Sequence, residues 1–246
     1  MYKMGVVRPG EMNCLILQSV VLSGDCCPEE ALYFRRRGEI ALTEEGARLA
    51  PGSVLSADTY MNAFDAAAWR RACGELPWRL ELEVRGACRA ELICRRADGT
   101  LSVCARETSG KEPVALSLVP EAPAAGLCWL RLSGEGETVL RRAAFVTDMP
   151  PRNPETTLGL AICTYRREAR LRENLRRLAG TRFFDEGDPL YGRLRVHVAD
   201  NASILPLRVE QPFVRLFHNP NEGGSGGYAR PCGSSPPGGR PTASAR

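Results

Sequence analysis

The stretch His218-Asn219-Pro220-Asn221-Glu222-Gly223-Gly224-Ser225-Gly226-Gly227-Tyr228-Ala229-Arg230 decides how this chain reads. It follows a short apolar run, Phe213–Phe217, and looks like the opening of a helix. Upstream lie two more strand-like runs. Leu194–Ala199 is one, and Thr157–Thr164 (TLGLAICT) is a continuous apolar run of the kind expected when both sheet faces are covered. Between them, Glu168–Ala179 places Leu171, Leu175 and Leu178 on one helical stripe, and Gly180 ends it. Strand, helix, strand, then strand is the start of a parallel, Rossmann-like α/β sheet.

Before Thr157 the pattern is β. Met149-Pro150-Pro151-Arg152-Asn153-Pro154 is a linker, because three prolines in six residues stop any regular element. Upstream of it, Arg79–Val84 (RLELEV) alternates polar and apolar with period two, as a half-buried strand should. Ala90–Arg95 and Leu101–Ala105 flank Ala97-Asp98-Gly99, a hairpin signal. Met12–Leu22, Ala31–Phe34, Glu39–Leu42, Ser53–Ser56, Val114–Val119, Leu127–Leu132 and Thr138–Phe145 complete a set of short strands, with a short helix placed within Asn62–Cys73. Such a set points to a β-sandwich or jelly roll. The expected organisation is therefore a β-sandwich over residues 1–148, a linker over 149–156, and an α/β domain from 157 to 230. Residues 231–246, PCGSSPPGGRPTASAR, hold ten Pro, Gly or Ser in sixteen and read as a disordered, frameshifted tail.

Composition narrows the class. The chain has 246 residues, and its 43% hydrophobic fraction supports a packed core. Net charge is +4, unevenly spread: residues 1–150 carry 18 basic and 20 acidic side chains, residues 151–246 carry 15 and 9, and all 15 are Arg. A basic second half suits an anionic ligand, although Arg dominates throughout, with Lys3 and Lys111 the only lysines. The ten cysteines form no CxxC; Cys14, Cys88, Cys94, Cys104, Cys128 and Cys163 sit singly in apolar runs, where Cys behaves as a small hydrophobe. Cys26-Cys27 is a poor metal geometry, and two histidines supply no paired ligand. No signal peptide is legible, and no apolar run reaches the ~20 residues of a membrane helix. A reducing, cytoplasmic setting is expected, extending to the inner face of the cytoplasmic membrane.

Three segments lie just beyond strand C-termini, where parallel sheets bind ligands. In Cys163-Thr164-Tyr165-Arg166-Arg167-Glu168 a strand meets a helix N-terminus, whose N–H groups suit an anion while Arg pairs with phosphate oxygens. Thr164 taken alone reads better as a helix cap. In Ala199-Asp200-Asn201-Ala202-Ser203 an Asp and an Asn can read the edges of a base, or form an ordinary turn. In Asn219 to Gly227 the glycines let the backbone approach a pyrophosphate.

In this order and spacing the three segments resemble family 2 glycosyltransferases of GT-A fold. Those carry T-[FY]-x-R, D-[NQ]-x-S-like and N-x-G-G-x-G-G-[FY]-x-R segments after successive strands. Asn221 to Arg230 matches the last and most specific of these. The chain looks like the branch of bacterial cell-wall galactofuranosyltransferases, which places a β-sandwich before the GT-A domain. Asp58-Thr59-Tyr60-Met61-Asn62-Ala63-Phe64, with Trp69 after it, is similar to part of that sandwich.

The resemblance implies that Thr164, Tyr165 and Arg167 hold uridine and diphosphate. Asp200 and Asn201 would contact uracil, and Asn221, Gly223 and Gly224 would border ribose and phosphates. It implies a UDP-sugar donor, UDP-galactofuranose, a cell-surface glycan or glycolipid acceptor, and manganese or magnesium in the full-length parent. It implies no nucleic-acid partner, and leaves peripheral membrane association and oligomerisation of the parent open. The family's carboxylate pair and general base would follow Arg230, so the chain is expected to be a catalytically inactive fragment with no retained metal. Asp185-Glu186-Gly187-Asp188 lies on the wrong side of the second strand to replace that pair. An unpaired sheet edge is expected to leave residues 155–246 marginally stable and prone to aggregate. His197 reads as structural, and His218 as able to approach the ligand.

Two rivals stand. Gly224 to Ala229 satisfies G-x-G-x-x-[GA], a dinucleotide-binding fingerprint, but the acid expected about 20 residues on has no counterpart, since residues 231–246 contain no Asp or Glu. A non-catalytic carbohydrate-binding module would use Trp69, Trp78 or Trp129 to stack on sugar rings, against the commoner role of buried core aromatics.

Overall fold

The computed structural model describes residues 14–24, 27–96, 98–121, 126–150, 153, 155–188, 191–205 and 213–233. The chain divides into two compact units, Met1–Pro151 and Arg152–Arg246.

The first unit is built from β1 (Leu15–Ser19), β2 (Arg35–Arg37), β3 (Ile40–Thr43), β4 (Gly46–Leu49), β5 (Val54–Ser56), β6 (Phe64–Asp65) and α1 (Ala66–Cys73). It continues through β7 (Arg79–Arg85), β8 (Cys88–Arg95), β9 (Leu101–Ser109), β10 (Val114–Leu118), β11 (Leu127–Gly134) and β12 (Thr138–Thr147). Every pairing is antiparallel. One sheet runs β10-β7-β12-β4-β3 with β1 also on β12; the other runs β2-β5-β11-β8-β9 with β6 also on β11.

Period-two patterning sets which face is buried. Leu80, Leu82 and Val84 of β7, and Leu130 and Leu132 of β11, all belong to one core. Each fully buried Leu contributes about 1.5–3 kcal/mol. Phe64 from one sheet stacks on Phe145 from the other at 4.4 Å, and Trp78 meets both rings edge-on. This is the arrangement of a β-sandwich.

The expected strands recur with shifted ends, and four differences have local causes. Ala31–Phe34 is not a strand: Glu30–Leu32 is a single 3-10 turn. Gly46–Leu49 forms β4, which the sequence reading passed over, because its partners lie on β3 and β12 rather than in its own pattern. The arginines of β2 likewise belong to a strand only through pairing with β5. The helix begins at Ala66, where Asp65 Oδ1 accepts the Ala68 N–H at 2.8 Å. Cys26, and Met12 and Asn13 of the expected strand Met12–Leu22, lie outside the described residues.

The second unit contains β13 (Leu158–Thr164), α2 (Glu168–Ala179), β14 (Leu194–Asp200), β15 (Val214–His218) and α3 (Gly223–Gly233). The three strands are parallel, in the order β13-β14-β15. Leu171 and Leu175 of α2 pack against Leu194, Val196 and Val198 of β14. β14 is the buried strand. β13 is exposed at Leu158 and Gly159, half-buried from Leu160 to Cys163 and buried at Thr164; in this sheet it pairs on one side alone. Helical backbone continues past Arg230 to Gly233, into the segment expected to be tail, while residues 234–246 lie outside the described residues. Among the described residues no helix is long and apolar enough to cross a membrane.

Candidate functional site

The three motif segments meet at the C-terminal edge of the parallel sheet. Thr164 pairs with Asp200 across β13 and β14, and Asp200 with His218 across β14 and β15. The Asn201 N–H donates to the Thr164 carbonyl at 2.9 Å, and the Asn219 N–H to the Asp200 carbonyl at 3.0 Å.

Asp200 is 1% exposed, and its carboxylate shapes the loop that follows it. It accepts the N–H groups of Ala202 (3.0 Å), Ile204 (2.8 Å) and Leu205 (2.9 Å). Asn201 is likewise buried. Its Nδ2 donates to the Gly223 carbonyl at 3.0 Å and lies 3.4 Å from Cys163 Sγ, while its Oδ1 accepts from Asn219 Nδ2 at 3.0 Å. Both side chains thus fasten the site together. Asn219, not singled out in the sequence, is the missing link; its signal is the Asn-Pro dipeptide that opens the turn before α3. Ser203 Oγ donates to the Asn219 carbonyl at 3.3 Å, from a backbone with φ +54.

The exposed groups are different ones. Thr164 is nearly buried and caps nothing; the α2 N-cap is Arg167, whose side chain makes no cap hydrogen bond. The amides of the first turn of α2 are therefore open to an anion. Tyr165 is 45% exposed, and the Arg166 guanidinium lies 5.3 Å over its ring. Arg166 holds φ +52, a conformation costing about 1–3 kcal/mol that tends to cluster at functional sites. Asn221, Gly223 and Gly224 are exposed, and Asn221 Oδ1 lies 3.4 Å from the Gly223 N–H.

The glycines divide by role. Gly223 has φ +72 and turns the chain into α3. A Cβ at Gly224 would meet nothing within 4 Å, so its backbone is open to a ligand. A Cβ at Gly227 would overlap Cys163 Sγ and crowd the Asn201 amide; that glycine lets α3 lie against β13.

Neither histidine faces this edge freely. His218 Nε2 is 2.8 Å from the Leu205 carbonyl. His197 is buried against Phe217, and its Nδ1 has no partner among the described residues. Burial, with Arg215 and Arg195 nearby, holds it below its ordinary 6.5.

The acidic groups do not fit a divalent metal. Asp188 pairs with Arg182 at 2.6 Å, Asp185 Oδ1 accepts the Gly187 N–H, and Glu186 meets the Tyr191 hydroxyl. Among the described residues no group of three or more His, Cys, Asp or Glu could hold a metal ion. Of the tryptophans of the first unit, Trp129 is 8% exposed, and Trp69 and Trp78 are half-buried against the core.

Residues 29–148 match the family model described as galactofuranosyltransferase 2, N-terminal. Over 223 residues the chain is 28% identical to galactofuranosyltransferase GlfT2 of Mycolicibacterium smegmatis (strain ATCC 700084 / mc(2)155), covering 82% of this chain and 32% of that protein. The chain thus spans about a third of the length of this relative. Among solved structures, a glycoside hydrolase family 43 arabinoxylan arabinofuranohydrolase from Bacillus subtilis aligns with TM-score 0.30 and 11% identity, over 46% of this chain and 24% of its own. CsCBM6-3 from Clostridium stercorarium aligns with TM-score 0.29 and 14% identity, over 45% and 85%. Likenesses this weak carry no inference. The chain is distantly related to a galactofuranosyltransferase, and its residues 29–148 form a domain like the N-terminal domain of galactofuranosyltransferase 2.

Proposed function

We propose that this chain is part of a family 2, GT-A-type galactofuranosyltransferase, and that the C-terminal edge of its parallel sheet binds the UDP portion of a UDP-galactofuranose donor. The observation that supports this best is the convergence of three segments on one sheet edge, stitched by Asn201 to both Asn219 and Gly223. On this reading the buried Asp200 and Asn201 hold the loops, and the exposed groups meet the nucleotide. Tyr165 offers a ring to the base. Arg167, Asn221, Gly223 and the open backbone of Gly224 face ribose and diphosphate. A helix N-terminus and an Arg are suited to that charge.

The acceptor is a cell-surface glycan or glycolipid, reached at the cytoplasmic face of the membrane. The described residues supply no ligands for manganese or magnesium, so no transfer step is assigned to them.

Calorimetric titration of the chain with UDP tests the reading, with NAD as the competing ligand. UDP binding that weakens about fivefold in Arg167→Gln, the loss expected for one exposed charge-assisted contact, supports it. No UDP binding, or NAD binding as tight as UDP, overturns it.

A further inference from the structure

The outer face of the second sheet of the sandwich carries a polar row that the nucleotide reading does not use. Strand register places Arg35 of β2 opposite Ser56 of β5, Ser56 opposite Arg131 of β11, Arg131 opposite Glu91 of β8, and Glu91 opposite Arg106 of β9. Directly paired residues share a face, and Leu55 and Leu132, one position away, point into the core. The five side chains therefore form one line across five strands on the solvent side.

The line is pre-organised. Glu91 is 4% exposed, and its two oxygens are divided between two arginines. Oε2 takes Arg131 through Nε and Nη2 at 2.8 Å; Oε1 takes Arg106 through Nε at 3.1 Å and Nη2 at 2.9 Å. Arg131 is thereby fixed with its Nη1 free, and Arg35 is steered from the other side by Asp58, 3.5 Å from its Nε. On the strand between those of Arg35 and Arg131 stands the Ser56 hydroxyl, half-buried and without a hydrogen-bond partner among the described residues. Adjacent strands lie about 4.8 Å apart, so an oxyanion over Ser56 sits one strand spacing from each arginine-bearing strand. Arg37, exposed on the same strand and face as Arg35, adds positive charge with no acid paired to it among the described residues.

We propose that Arg35, Ser56 and Arg131 form a phosphate-binding seat on the sandwich, separate from the nucleotide edge of the parallel sheet. The ligand is a phosphate group, either in a soluble molecule or on a lipid headgroup. Arginine cations on both strands beside one unpartnered hydroxyl supply the charge-assisted donors that a phosphate takes.

The test uses the full chain and inorganic pyrophosphate, followed residue by residue by NMR, with sedimentation on phosphatidylcholine vesicles with and without phosphatidylglycerol. The expected result is a saturable shift at Ser56 and its strand neighbours. Arg35→Gln and Ser56→Ala should each weaken binding about three- to fivefold, the loss of one exposed contact, while Arg48→Gln, on the other sheet, should leave it unchanged. Neither test variant removes a core contact, so folding is preserved. Pyrophosphate binding without vesicle binding identifies a soluble phosphate as the source; vesicle binding that needs phosphatidylglycerol and is lost in Arg35→Gln identifies a headgroup. No saturable shift at Ser56 together with no vesicle binding, or an equal loss in Arg48→Gln, overturns the proposal. The readout at Ser56 is independent of shifts at Tyr165 and Gly224, so this seat and the nucleotide reading fail separately.

Discussion

Asn201 Nδ2 and the Gly223 carbonyl are joined by a 3.0 Å hydrogen bond that ties the end of β14 to the first turn of α3. The same amide receives Asn219 Nδ2 on its oxygen. Asn201→Ala removes a buried group that satisfies both. The expected cost is about 1–3 kcal/mol to the second unit, with UDP affinity falling at least in proportion. Asn201→Asp keeps the acceptor for Asn219 but loses the donor to Gly223. Chemical denaturation followed by NMR signals of Leu175 and Val198 reads the stability. A variant as stable as the parent would show the amide to be idle.

Gly227→Ala tests the contact of α3 with β13. The added methyl overlaps Cys163 Sγ and crowds the Asn201 amide, so the helix must lift. Overpacking of this kind costs about 1–3 kcal/mol, which outweighs the gain in helix propensity of about 1 kcal/mol. Gly224→Ala, with open space at its Cβ, should instead be neutral or stabilising while lowering UDP affinity. Thermal unfolding of the two variants side by side distinguishes them.

His197 should make the second unit acid-sensitive. Its ring is held neutral in the folded state, below its ordinary 6.5, by burial and by Arg215 and Arg195. The unfolded chain therefore binds more protons between the folded value and pH 6.5. The stability associated with the neutral ring is full above pH 6.5 and is lost as pH falls toward the folded value. His197→Leu removes the titration and the unpartnered Nδ1 together, and should flatten the decline between pH 7 and pH 5. Hydrogen exchange at Val196 and Val198 across that range measures it.

Glu91 acts on the first unit in a lower window. Burial alone raises its carboxyl, but hydrogen bonds from Arg131 and Arg106 outweigh that and hold it below its ordinary 4.5. Its contribution is complete above pH 4.5 and disappears as pH falls through the folded value. Glu91→Gln should cost about 1–3 kcal/mol at pH 7, less than a fully buried pair because both arginines are partly exposed, and the gap should close on acidification. Trp69, Trp78 and Trp129 all lie in the first unit, so tryptophan fluorescence reports it alone.

The buried thiols Cys88 and Cys94 of the sandwich should be unreactive while it is folded. Cys94 is pushed up by its contact with Cys128, 3.1 Å away, and by burial; burial likewise raises Cys88, and with Cys94 it raises Cys104 to about 11. Iodoacetamide at pH 8, read by mass spectrometry, should label Cys88 and Cys94 only as denaturant unfolds the first unit. Rapid labelling of Cys88 or Cys94 in the native chain would contradict the packing.

Local pattern was enough to place much of this molecule. The leucines of Glu168–Ala179 specify α2 because the 3.6-residue stripe and the closing Gly180 lie within the segment itself. Arg79–Val84 specifies β7 because alternation is also a local property. The glycine motif after Phe217 marks a close backbone approach, and Thr164 and Asp200, two of the residues that carry the resemblance, pair at one sheet edge. What each touches there is decided only by tertiary contacts. Asp200 and Asn201 have the chemistry to read a base, yet their hydrogen-bonding groups face backbone amides and a carbonyl supplied by residues up to 22 positions away. Arg35-Arg36-Arg37 looks like a charged loop until β5 pairs with it, and Ser56 acquires two flanking arginines only through register with β2 and β11. Periodicity encodes which face of an element is buried; which side chains share that face is decided by strands far apart in sequence, through pairings no single segment contains.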